Sequence, residues 1–322
     1  MLSGTYYSAT EIVSSYKIIV KIIYMEAFML IETRSNNTKD VLLELLAVSF
    51  LATGGIFVKF SSLGPINTGF YRVLFSLPIL FLLAFKDLNQ LKKKDVLILL
   101  ISGVFLAGDV SLWNLSFSYT SVANANLFAN LTPFTVVPVS YFLFKEKIPK
   151  FYLVGVLIAI AGVVILVLGK ANPTQGNYIG DLLSFGASFF YAGFLLITYS
   201  LSARISSSVM MFVSGFGSLV ALFVSSSAIE GFQVPHGWHE VWPLLGLTIC
   251  LQVVGHNLLA HCQGKVNVNL SSVICLMQPV IATVYAFVCF GEMISVWEMV
   301  GIAVVIAGVF MVKMQYPGRN VK

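Results

Sequence analysis

Apolar residues in this chain come in long unbroken runs rather than in alternation. From residue 41 onward ten such segments follow one another, at about 41–60, 67–85, 95–115, 121–144, 150–169, 179–200, 207–229, 242–262, 268–290 and 294–314. Each approaches the roughly 20 residues that a helix needs to cross the hydrocarbon core of a bilayer. Strands of a membrane barrel would alternate polar and apolar positions with period two. The pattern therefore predicts an all-α polytopic membrane protein with ten transmembrane helices. The breaks between segments are short and carry turn residues, such as Gly64-Pro65, Asn172-Pro173 with Gly176, and the stretch from Gly231 to Gly237.

The pattern also repeats. Residues 123–170 and 266–314 share one plan at a constant separation of 146: Pro133 and Pro279, Glu146 and Glu292, Gly155 and Gly301, Ala161-Gly162 and Ala307-Gly308. Phe144 and Phe290, Ile148 and Ile294, and Val154 and Val300 keep the same separation without a gap. Apolar composition alone does not hold a proline, a glutamate and a glycine in register, so the halves are read as internal repeats. This divides the chain into an N-terminal extension (1–40), a first five-helix repeat (41–170), a second (178–316) and a short tail (317–322). An odd number of helices per repeat makes the second enter the membrane from the opposite face. Two inverted repeats around a central site form a transporter architecture.

Composition agrees with a membrane protein. Of 322 residues, 58% are hydrophobic and 10% charged, and the mean hydropathy is +0.90; soluble chains carry about 25% charged residues. The net charge of +5 resides in short loops and is no sign of nucleic-acid binding. With the N-terminus in the cytoplasm, 16 of the 19 lysines and arginines fall on the cytoplasmic side. Lys59 and Lys170 lie outside, and Arg72 lies within the second segment. This positive-inside bias supports an even number of segments with both termini in the cytoplasm. Cys250, Cys262, Cys275 and Cys289 lack metal-site spacing and read as small apolar packing residues. The extension is either an interfacial helix or upstream of a start at Met25 or Met29.

The residues that carry the repeat also carry a family likeness. They are Leu131-Thr132-Pro133 and Met277-Gln278-Pro279, Phe144-Lys145-Glu146 and Phe290-Gly291-Glu292, then Gly155 with Ala161-Gly162 and Gly301 with Ala307-Gly308. With Tyr71-Arg72 and the stretch SLWNLSFSYTSVANANL (111–127), the chain resembles the drug/metabolite transporter superfamily, EamA type, over 41–314. The resemblance implies a ten-helix carrier that moves small organic solutes, often amino acids or other metabolites, outward or in exchange. The eighth segment, with Gln252, His256, Asn257 and His261, is more polar than a cavity for apolar drugs would require.

Polar residues within the bilayer tend to face the bundle interior or a water-filled cavity. Arg72 suits an anion or carboxylate; its other reading is a snorkelling or salt-bridged packing residue. Asp109 and Trp113, four apart, share a helix face and suit an amine or zwitterion; Asn114 adjoins them. Asn126 and Asn130 precede Pro133, and Asn130 is the better cavity candidate. His256, four after Gln252, can titrate near neutrality. Asn257, Tyr191 and Gln278 complete the candidate substrate-binding set. Glu146 and Glu292 read as structural groups capping the following helices. His236 and His239 read as solvated loop residues. With no Gly-rich phosphate loop, no cofactor or ATP drive is expected. The partners are a small-molecule substrate and the lipid bilayer, with a proton or counter-solute for coupling and no nucleic acid. The expected function is a secondary transporter that exports or exchanges a small polar metabolite by alternating access. A multidrug or cationic-compound exporter is the alternative, and an intramembrane lipid-modifying enzyme is the rival from another class.

Overall fold

The structure is a computed structural model and describes residues 36–120, 122–169, 178–291 and 293–316. The extension before residue 36, the loop 170–177, Glu292 and the tail after 316 lie outside the described residues. All regular structure among the described residues is helical. In chain order α1 is Thr38–Ala52 continued by Gly54–Phe60, α2 is Pro65–Ala84 and α3 is Lys93–Ser116. Next, α4 is Val122–Ala129 continued by Thr132–Phe144, α5 is Tyr152–Leu168, α6 is Tyr178–Leu201 and α7 is Ser207–Ile229. The last three are α8 (Trp238–Gly246, Leu247–His256, Asn257–Gln263), α9 (Val268–Ile274, then Met277–Phe290) and α10 (Val296–Gln315). Among the described residues nine helical spans are long and apolar enough to cross a membrane; α5 is equally apolar but has 17 residues, a rise of about 26 Å.

Several helices are discontinuous, and local chemistry explains where. A proline cannot donate to the carbonyl four residues earlier. In α4 this strands the Ala129 carbonyl ahead of Pro133, and the Thr132 hydroxyl donates to it at 3.0 Å. In α9 it strands the Cys275 carbonyl ahead of Pro279, and the Gln278 amide donates to it at 3.0 Å. Both helices end on a left-handed residue, Lys145 (φ 52°) and Gly291 (φ 67°), which are again 146 apart. The middle of α8, Leu247–His256, is a π-helix, and α1 breaks at Thr53.

Helix α3 packs on both α6 and α7, α7 also packs on α2, and α8 on α1 and α2. A long glycine-lined seam joins α5 and α10. A Cβ added at Gly155 would meet Val312 at 2.7 Å, one at Gly162 would meet Val305 at 2.5 Å, one at Gly308 would meet Ala159 at 2.4 Å, and one at Gly301 would meet Leu166 at 2.5 Å. Only glycine permits so close a backbone approach. The numbers rise on one helix as they fall on the other, so the two run antiparallel. The contacts are also reciprocal: shifting one partner of Gly155–Val312 up by 146 and the other down by 146 yields Gly301–Leu166.

Polar networks tie the two ends of the bundle. At the end where α2 begins, the Glu230 carboxylate accepts from the backbone amides of Ile66 (2.9 Å) and Asn67 (3.1 Å). This caps α2 at the positive end of its dipole. Gln233 joins in through the Gly64 amide (2.7 Å) and the Tyr71 hydroxyl (2.9 Å). At the opposite end the buried Glu146 accepts from the Tyr199 hydroxyl (2.5 Å) and the Asn267 side-chain amide (2.7 Å). Glu146 therefore bridges α6 and the start of α9; it does not cap α5, whose N-cap Phe151 makes no side-chain bond. Asn267 in turn caps α9, accepting from the Asn269 amide at 2.9 Å, and the Tyr152 hydroxyl donates to the Asn269 carbonyl at 3.0 Å.

Candidate functional site

Inside the bundle lies a cavity of about 80 Å³. Since one water needs roughly 10–15 Å³ on this measure, the space suits roughly five to eight waters or one small solute. Seven helices line it. Leu51 comes from α1, Arg72 from α2, Asp109, Val110 and Trp113 from α3, and Ala129, Asn130 and Thr132 from α4. Tyr191 comes from α6, Leu251 and His256 from α8, and Ser272, Cys275 and Gln278 from α9. The α5–α10 seam contributes nothing to the lining.

The broken helices explain how so many groups converge. The pairs Ala129/Cys275 and Thr132/Gln278 are each 146 apart and flank the two proline breaks, so the same irregular backbone reaches the cavity from both halves. Irregular backbone is tolerated at membrane depth where it is enclosed by protein or faces a cavity.

Charge is placed unusually. Arg72 sits about 10 Å into α2 and is buried, with Nε and Nη2 lacking hydrogen-bond partners among the described residues. Asp109, partly buried on α3, is close enough for its charge to act on Arg72. Among the described residues no hydrogen bond or ion pair joins the two. A guanidinium and a carboxylate thus face one cavity without pairing to each other. Both would carry a heavy desolvation cost if nothing else bound there.

The aromatic wall is ordered around His256. Its ring lies edge-on to Phe194 at 5.9 Å and to Tyr191 at 6.5 Å. His256 Nδ1 lies 3.1 Å from the Leu251 carbonyl. A carbonyl can only accept, so Nδ1 carries the proton of that bond, leaving Nε2 as the remaining polar atom of the ring. His256 closes the π-helical stretch, an irregularity that often marks functional sites.

Of the residues singled out in the sequence, Arg72, Asp109, Trp113, Asn130, Tyr191, His256 and Gln278 are brought together here. Asn114 and Asn257 are not. The Asn114 side chain donates to the Pro65 carbonyl at 2.8 Å, and that of Asn257 to the Ser208 hydroxyl at 3.3 Å. Each directly follows a lining residue, Trp113 or His256, and one residue along a helix turns the side chain by about 100°. Gln252 is fully buried with an unpartnered amide and lies outside the lining. His236 and His239 are exposed. The side chain of Asn126 and all of Glu292 lie outside the described residues. Cys275 lines the cavity as well as packing, while Cys289 is exposed.

Thr132 and Ser272 escaped the sequence reading as cavity residues, although a signal existed: subtracting 146 from Gln278 gives Thr132, and adding 146 to Asn126 gives Ser272. Glu44 escaped too. It is a carboxyl within the first apolar segment, fully buried, with Oε1 accepting from the Ser271 hydroxyl and Oε2 unpartnered.

Comparisons with known proteins agree with this picture. The model of the EamA-like transporter family matches twice, over residues 38–168 and 178–314. The uncharacterized transporter YetK of Bacillus subtilis is 31% identical over 253 residues, covering 74% of this chain and 75% of the relative. An uncharacterized transporter of Clostridium kluyveri is 26% identical over 288 residues, covering 84% and 91%. A solved crystal structure superposes with a TM-score of 0.70 at 17% identity, covering 85% of this chain and 96% of the other, a likeness of fold. The chain is a multi-pass membrane protein that belongs to the EamA-like transporter family, whose members move small molecules across membranes.

Proposed function

We propose that this transporter carries a small zwitterionic metabolite, an amino acid or related solute, by alternating access, as an exporter or exchanger in the inner or plasma membrane. The observation that carries the reading is the unpaired Arg72 and Asp109 in one cavity. A guanidinium engages a carboxylate through two parallel hydrogen bonds, and Asp109 offers an ammonium its counter-charge. Trp113, on the face of Asp109, offers that ammonium a π surface. A zwitterion would neutralise both protein charges at once, and the volume suits a small solute better than a bulky drug.

Alternating access follows from a ten-helix arrangement of two inverted repeats, 41–170 and 178–316, with both termini in the cytoplasm. Three observations support it: the family model matches once per half, both proline breaks reach the cavity, and the α5–α10 contacts are reciprocal and antiparallel. Solute sites between inverted repeats, built on discontinuous helices, are the recurring transporter solution.

The test is a thermal-shift screen of the purified protein against amino acids, nucleosides and lipophilic cations, repeated on Arg72→Gln and Asp109→Asn. A ligand of the native state raises stability by about 2.7 kcal/mol at one hundred times its Kd. Stabilisation by an amino acid that is lost in both variants supports the reading. Stabilisation by lipophilic cations alone, dependent on Asp109 and indifferent to Arg72, replaces it with a cationic-compound exporter.

A further inference from the structure

We propose that Glu44 is a proton-binding site, separate from the solute cavity, whose charge state governs the seating of the first half of α9. The proposal rests on the carrier reading only in that this half-helix, Val268–Ile274, contributes Ser272 to the solute cavity.

Glu44 sits in α1 with 0% exposure. Its Oε1 accepts from the Ser271 hydroxyl, and its Oε2 has no partner. The titratable groups whose charges act on or feel Glu44 are Tyr191 of α6, Cys262 of α8 and Cys275 of α9. Among the described residues no cation is one of them. The nearby charged pair, Lys265 and Asp40 at 3.8 Å, is a partly exposed rim contact, and His261 on α8 interacts with that pair. Protonated, Glu44 is a neutral acid that a dry bundle accommodates. Deprotonated, it is an anion that among the described residues only the Ser271 hydroxyl answers, and one hydroxyl does not offset the burial of a full charge, so entering water must supply the rest of its solvation.

The route for that water is built into the contacts. Ser271 belongs to the half-helix whose N-cap is Asn267, and Asn267 is held by Glu146, which also holds Tyr199. Glu44 stands six residues from the start of α1, at the same end of the bundle as this network. Loss of the Glu44 proton therefore favours unseating Val268–Ile274, which loosens the Asn267–Glu146–Tyr199 closure and shifts Ser272 in the cavity wall. The proton leaves as H⁺ to the aqueous phase at that end and returns by the same route.

The experiment needs no solute. The full chain in liposomes is titrated from acid to alkaline pH while the infrared C=O band of protonated carboxyl groups is recorded. Amide hydrogen exchange over residues 266–276 is followed in parallel, corrected for the intrinsic pH dependence of exchange. The expected result is a titrating band that persists in Asp109→Asn and disappears in Glu44→Gln. Exchange over 266–276 is expected to rise about ten-fold at alkaline pH, a population shift of about 1.4 kcal/mol, and to stay flat in Glu44→Gln. Glu44→Asp, which keeps a titratable carboxyl, should move the midpoint. A band that survives Glu44→Gln, a midpoint unmoved in Glu44→Asp, or flat exchange in the parent overturns the proposal. Failure of the solute screen with success here would leave the proton site standing and remove only the zwitterion reading.

Discussion

Arg72 distinguishes a binding group from a packing group by the sign of its effect on stability. Removing one partner of a buried salt bridge destabilises by about 3–5 kcal/mol because the other charge is left behind. Arg72 has no direct partner among the described residues, so Arg72→Gln is expected to leave the ligand-free melting point level or raise it. The same variant should weaken binding of a carboxylate solute about 10- to 100-fold, the equivalent of a charge-assisted hydrogen bond of about 1.5–3 kcal/mol. Thermal unfolding with and without solute measures both. Arg72 and Asp109 were legible in the sequence because charge inside an apolar run is rare. Ser272 and Cys275 were not, because small polar residues occur on every face of membrane helices. Asn114 and Asn257 show the limit of reading position without rotation: each sits one residue past a lining side chain and packs elsewhere. Glu44 stands near the start of the first apolar segment, where a charge usually meets water, and only the packing of α9 against α1 shows it buried.

At the level of the element, the breaks in α4 and α9 matter more than the helices themselves. Pro133→Ala restores an amide that can reach the Ala129 carbonyl and favours a continuous helix. Such a change is expected to hold or raise the melting point while weakening solute binding about ten-fold, roughly 1.4 kcal/mol; Pro279→Ala should behave alike. Calorimetry of binding beside thermal unfolding would separate the two effects. The prolines were plain in the sequence, and so was the register that relates them. The π-helical middle of α8 was not, since a run of apolar residues with Gln252 and His256 has the same composition in either helix type. The α5–α10 seam gives a sharper test. Gly308→Val places new atoms against the Ala159 backbone, and overpacking of this kind costs about 1–3 kcal/mol. Gly162→Val, its counterpart in the first half, should lower the melting point by a similar amount.

For the whole molecule, the lysines and arginines give a topology that labelling can check. Cysteines placed by Lys92→Cys and His236→Cys, in a background lacking Cys289, should differ: a membrane-impermeant maleimide added to intact cells is expected to label the second and spare the first. The structure supplies what charge counting could not, the closures at the two ends. Arg204 reaches Asp95 with two bonds of 2.7 and 2.6 Å at one end, and Glu230 caps α2 at the other. The register of 146 was legible, but which helices it brings face to face was not, because a seam is a property of two surfaces. That seam has a consequence for how the chain could be divided. Gly155 with Val312 and Gly301 with Leu166 make an isologous contact, the kind found at the two-fold axis of a homodimer. Each half carries a patch shaped for its own copy as well as for its neighbour in the chain. On the inverted-repeat reading proposed above, a half expressed alone would meet a second half of its own kind as a ready mate, turned upside down in the same bilayer.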